Sequence, residues 1–113
     1  MDCIFCKIIN GEIPSKKVYE DAFVYAFEDI NPEAPVHVVI VPKVHIESLD
    51  TLDVSHKERI GHLQLMAAQI AKEKGIADDG YRLVSNIGKH GGQTVLHLHY
   101  HILGGRQLQW PPG

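Results

Sequence analysis

At 113 residues, 44% hydrophobic and 22% charged with a net charge of −3, the chain is expected to form one domain, residues 1–113, with a core of its own. No cluster of Lys and Arg marks a nucleic-acid groove, and no apolar run approaches the ~18 residues of a membrane span. The start, MDCIFCKIIN, lacks a basic segment followed by a long apolar one, so no signal peptide is read and the expected location is cytoplasmic.

Cys3 to Asn10 is apolar with a short helical spacing, Ile4 with Ile8 and Phe5 with Ile9, closed by Gly11 and Pro14. Val18–Tyr19 and Ala22–Phe27 read as strands around a turn at Glu20-Asp21. Asn31-Pro32 to Pro35 is a loop, and the β-branched run Val36 to Val41 reads as a buried strand stopped by Pro42. Val54 to Lys74 is the one long helix, with Leu63, Met66, Ala67, Ile70 and Ala71 at helical spacing. Ser55 with Glu58 is a candidate capping box, Asp53 is the rival N-cap, and Gly75 suits a left-handed end. Tyr81 to Asn86 reads as a strand, Gly88 to Gly92 as a loop, and Val95 to Leu103 as a final long strand. The expected fold class is α+β: an antiparallel sheet of about five strands with one long helix on a face.

Histidine is the unusual component, with eight in the chain. His97, His99 and His101 alternate with Leu96, Leu98, Tyr100 and Ile102, which in a strand puts three imidazoles on one face and apolar groups on the other. The plain alternative, three solvent-facing histidines, fits poorly, because polar faces are usually filled by other residue types. At a rise of ~3.3 Å per residue the outer two start ~13 Å apart, which makes a single three-histidine metal cage awkward. A division of labour fits better: one imidazole acts while its neighbours orient it or touch the substrate. A neutral imidazole attacks phosphorus through Nε2 when an acceptor, such as a backbone carbonyl, holds Nδ1–H.

Cys3-x-x-Cys6 is the other motif. In a chain read as intracellular a structural disulfide is not expected, which leaves metal binding, a redox pair or two incidental thiols.

His97-Leu98-His99-Tyr100-His101-Ile102-Leu103 resembles the His-φ-His-φ-His-φ-φ signature of the histidine triad superfamily, φ being apolar. The resemblance runs from Ile4-Phe5-Cys6-Lys7-Ile8-Ile9 through Glu28-Asp29-Ile30-Asn31-Pro32 and Pro35-Val36-His37 to the end. The tail, Leu103-Gly104-Gly105-Arg106-Gln107-Leu108-Gln109-Trp110-Pro111-Pro112-Gly113, is similar to the histidine triad nucleotide-binding branch. That resemblance implies hydrolysis of adenosine and guanosine 5′-phosphoramidates and aminoacyl adenylates, by a homodimer sharing one continuous sheet. It implies His99 as a nucleophile that forms a nucleotidyl-histidine, oriented by the His97 carbonyl. His101, His37 and Asn86 would contact the phosphate, and Thr94, where relatives often carry Ser, would lie near the leaving group. Asp29 would bind the ribose, Phe5, Phe27 and Ile30 would wall the base, and Trp110 would reach the partner's site.

Each of these residues also has a plainer reading. Asp29 could cap a turn, Phe5, Phe27 and Ile30 could be core, Asn86 could end a strand, and His37 could be a satisfied core histidine. His56, His62 and His90 are assigned no role.

In some branches of the superfamily a C-x-x-C joins two histidines on zinc, so the resemblance implies Cys3, Cys6, His45 and His97 as a closed structural site. Close relatives in the nucleotide-binding branch often lack these cysteines and work without metal, and the chemistry itself needs no cofactor. Two rival functions remain: hydrolysis of dinucleoside polyphosphates, against which the C-terminal block argues, and nucleotide-dependent regulation with vestigial catalysis.

Overall fold

The computed structural model describes residues 3–113. Its elements in chain order are α1 (Ile4–Ile9), β1 (Lys17–Glu20), β2 (Val24–Glu28), β3 (Val36–Pro42), α2 (Lys57–Glu73), β4 (Tyr81–Val84) and β5 (Tyr100–Gly104). The five strands form one antiparallel sheet in the order β1-β2-β3-β5-β4, so β5 enters between β3 and β4 after the long crossover through α2. This is the α+β architecture expected of the sequence.

Strand alternation divides the sheet into two faces. Val24 and Ala26 of β2, Val38 and Ile40 of β3, and Leu98, Tyr100 and Ile102 on and before β5 pack against Leu63, Ala67, Ile70 and Ala71 of α2. Tyr25, Phe27, Val39 and Val41 point the other way, against Cys3, Phe5 and Ile8. His37 and His101 share this second face, as the register pairs Val39 with His101 and His37 with Leu103.

The helix start resolves in favour of Asp53. Its carboxylate accepts from the Ser55 amide at 2.8 Å, while His56 Nδ1 accepts from the Asp53 amide at 3.0 Å. This tight first turn, Val54–His56, leads into α2, so the Ser55–Glu58 box does not form. Gly75 ends α2 at φ 75°, a conformation that only glycine adopts without cost.

The last strand is shorter than its sequence pattern. Only Tyr100–Gly104 joins the ladder, and Val95 to His97 bends away from it. The bend puts Leu96 at 63% exposure, whereas strict alternation puts it in the core with Leu98. The cause is His97, which is fully buried beside α1 and donates through Nε2 to the Pro42 carbonyl at 2.9 Å.

Candidate active site

Three histidines meet where β3 and β5 run side by side. His99 Nδ1 lies 2.7 Å from the His97 carbonyl, which can only accept, so Nδ1 carries the proton and Nε2 keeps its lone pair. The Glu33 amide donates to His37 Nδ1 at 3.0 Å, so a neutral His37 carries its proton on Nε2. That proton faces His101 Nδ1 at 2.9 Å and Asp29 Oδ2 at 3.3 Å. Accepting at Nδ1 leaves neutral His101 with N–H at Nε2. The backbone and Asp29 thus give the two neighbouring rings opposite characters: His99 presents a base and His101 a donor.

Burial disfavours the charged form of both rings. His99 is held below the ordinary imidazole range by burial, against the pull of the His97 carbonyl and Asp29. His101 is pushed down to about 4 by burial and by its neighbours His99 and His37.

A cleft of about 260 Å³ opens from these rings along the α1 side of the sheet. Phe5, Phe27 and Ile30 form apolar walls, Asp29 and Thr94 supply oxygens, and His99 and His101 line it too. Phe5 stands edge-on to both Phe27 and His99, with ring centres 5.7 and 5.0 Å apart. Ile30 is 89% exposed and so is no core residue, whereas Phe5 and Phe27 both pack into the core and edge the cleft. Asp29 does cap a turn: Oδ1 accepts from the Asn31 amide at 2.8 Å, while Oδ2 faces His37 Nε2 at 3.3 Å. The structure does not bring Asn86 or Trp110 to this cleft. Asn86 follows β4, half-buried, and Trp110 lies in the tail with 80% of its surface exposed.

The cysteines gather with two other histidines. Cys3 Sγ lies 3.3 Å from His97 Nδ1, Cys6 Sγ 3.4 Å from His45 Nδ1 and 3.7 Å from His97 Nδ1, and the two Nδ1 atoms are 3.1 Å apart. Both cysteines are free thiols. A tetrahedral zinc shell with bonds of about 2.3 Å to S and 2.0 Å to N has edges of about 3.3–3.8 Å, close to these spacings. The Pro42 carbonyl holds the His97 proton on Nε2 and so leaves the Nδ1 lone pair aimed at the cysteines, the outer hydrogen bond typical of a metal-binding imidazole. Donor types, count and tautomer are compatible with a closed structural zinc site.

A HIT family hydrolase from Legionella pneumophila Philadelphia 1 superposes with a TM-score of 0.98 at 46% identity, over 99% of this chain and 100% of that one. The family model described as scavenger mRNA decapping enzyme C-term binding matches residues 2–109. The chain belongs to the histidine triad superfamily. Among relatives of this histidine triad protein, the purine nucleoside phosphoramidase of Escherichia coli K12 is 49% identical over 107 residues, covering 95% of this chain and 90% of that protein. The 14 kDa zinc-binding protein of Zea mays is 52% identical over 112 residues, covering 97% of this chain and 87% of that protein.

Two features of this histidine triad protein escaped the sequence reading. Ser85 Oγ donates to the His99 carbonyl at 2.9 Å and ties β4 to the strand that carries the site. A Ser at the end of a strand gives no signal of such a contact. His62 of α2, assigned no role, donates through Nε2 to Asp21 Oδ2 at 2.7 Å, and the same oxygen accepts from Tyr19 Oη at 2.8 Å. Burial works against the Asp21 charge, but the Phe23 amide, His62, the Val24 amide and Tyr19 together hold the carboxyl well below the usual range. That cluster binds α2 to the β1–β2 turn, and its histidine is structural.

Proposed function

We propose that the chain hydrolyses purine nucleoside 5′-phosphoramidates and aminoacyl adenylates to the nucleoside monophosphate through a covalent bond to His99. The observation that carries this reading is the 2.7 Å contact from His99 Nδ1 to the His97 carbonyl, which leaves a neutral imidazole with a free Nε2 beside an apolar cleft. The name of the E. coli relative supports the phosphoramidate as substrate.

The purine lies between Phe5, Phe27 and Ile30, and Asp29 accepts from the ribose hydroxyls. His99 Nε2 attacks the α-phosphorus as the bond to the leaving amine breaks. His101, through Nε2–H, stabilises the phosphoryl oxygens, with His37 behind it. The departing nitrogen takes a proton, for which His101 and the Thr94 hydroxyl are the nearby donors. Water then attacks the same phosphorus, gives up a proton to the group that lost one, and frees His99. In this reading the protein works as a homodimer with one continuous sheet, and Trp110 of each protomer approaches the other's site. Zinc held by Cys3, Cys6, His45 and His97 is structural: a filled four-ligand shell offers no open position, and it fixes the segment that carries the His97 carbonyl.

Hydrolysis of adenosine 5′-phosphoramidate by the wild type and by His99→Ala tests the reading. Wild-type turnover should fall by about 10³-fold or more in a folded variant. Nucleotide binding without wild-type turnover would overturn it in favour of a binding protein.

A further inference from the structure

Next to the cleft that holds His99 and His101 lies a second hollow of about 430 Å³, lined by Cys3, Ile4, His45, Glu47, Thr94, Val95 and Leu96. The two share Ile4, Thr94 and Val95, so they form one continuous depression with Thr94 at the divide. In the phosphoramidase reading Thr94 lies near the leaving group, which puts the second hollow on that side. Its walls are apolar and open: Ile4 is 47% and Leu96 63% exposed, and neither joins the core. Among the described residues its one carboxylate is that of Glu47, which takes part in none of their ion pairs.

The carboxylate is carried on a fixed backbone. The Gln93 side chain donates from Nε2 to the Glu47 carbonyl at 2.7 Å and to the Val95 carbonyl at 3.0 Å, and accepts from the Gly88 amide at 3.0 Å. One amide thus clamps the Glu47 loop to the Thr94–Val95 segment. A largely apolar hollow running from Thr94 to an exposed carboxylate on an anchored backbone matches one kind of leaving group: an amine with a hydrocarbon stem and a second, cationic nitrogen beyond it.

Resting on the phosphoramidase reading, we propose that this hollow is the leaving-group subsite and that Glu47 selects cationic alkylamines there. The stem lies along Ile4, Val95 and Leu96, and the far ammonium pairs with Glu47. Glu47 touches no reacting atom and acts on specificity alone.

The test compares adenosine 5′-phosphoramidates of pentylamine, diaminopentane and aminopentanoate with the unsubstituted phosphoramidate. In the wild type kcat/KM should rank the diamine first and the aminoacid last. Each step should be about two- to fivefold, the range of a solvent-accessible ion pair, and should shrink with added salt. Glu47→Gln should level the three while leaving the unsubstituted compound unchanged, and Glu47→Lys should reverse their order. Equal rates for the three in a wild type that hydrolyses the unsubstituted compound would overturn this subsite alone, as would a ranking that survives Glu47→Gln. No turnover of any of the four would overturn the phosphoramidase reading and the subsite with it.

Discussion

The two faces of the sheet are built from the same strands and do opposite work. One is sealed under α2, a helix of 17 residues, over an apolar cluster in which the Tyr100 hydroxyl accepts from Gln64 at 3.1 Å. Among the described residues the other is covered by the six-residue α1, with Ile13 and Val95 packed beside it. That helix shields Phe27, Val39 and Val41, and past its edge buried His37 and His99 collect with half-buried His101 and Asp29 beside an open cleft. The candidate site lies where that cover runs out, which suits a group that must be desolvated yet reachable.

Paired substitutions should break this comparison cleanly. Leu63→Ala, on the sealed face, should cost about 2–5 kcal/mol in urea unfolding and leave KM for nucleotide unchanged in the folded fraction. Phe5→Leu, on the open face, should cost about 1 kcal/mol and instead raise KM several-fold. A KM change from Leu63→Ala equal to that from Phe5→Leu would show that the faces are not independent.

Metal removal sharpens the contrast next. The protein as purified should contain about one zinc per chain, and Cys3→Ser with Cys6→Ser should abolish it. Melting temperature should drop by more than ~4 °C, the shift that 1 kcal/mol makes in a domain of this size. Absence of zinc from the wild type, or an unchanged melting point, would leave the cysteines as plain thiols.

The smallest effect is on pH dependence. His101 is held neutral, with its pKa near 4 against an ordinary 6.5, so the unfolded chain binds its proton first as pH falls. Stability should therefore decline from about pH 6.5 to about pH 4 and level off below, as far as this group decides it. His101→Asn should flatten that part of the curve in denaturant titrations at each pH.

Much of this was legible in the residues. The β-branched run placed Val36 to Val41, and helical spacing placed the face of α2, since both signals are local. The resemblance supplied the candidate roles of His37 and Asp29, which spacing alone would have left as core and turn. What sequence missed depends on contacts between distant segments. The pull of Cys3, Cys6, His45 and Pro42 on His97 bends residues 95–97 out of the ladder, and no period-2 pattern contains those partners. The Asp21–His62 bridge and the Ser85 contact likewise join segments 41 and 14 residues apart.

His97 also separates what a position must be from where it must be. Its ring is one of four donors in the cysteine cluster, but its effect on His99 comes from the peptide oxygen, which all twenty amino acids possess. A protein of this design could drift to another side chain at position 97, and lose the cluster altogether, without resetting the proton on its neighbour, provided the chain kept its path. Identity at that position answers to the cysteine cluster, and path answers to the proton on His99.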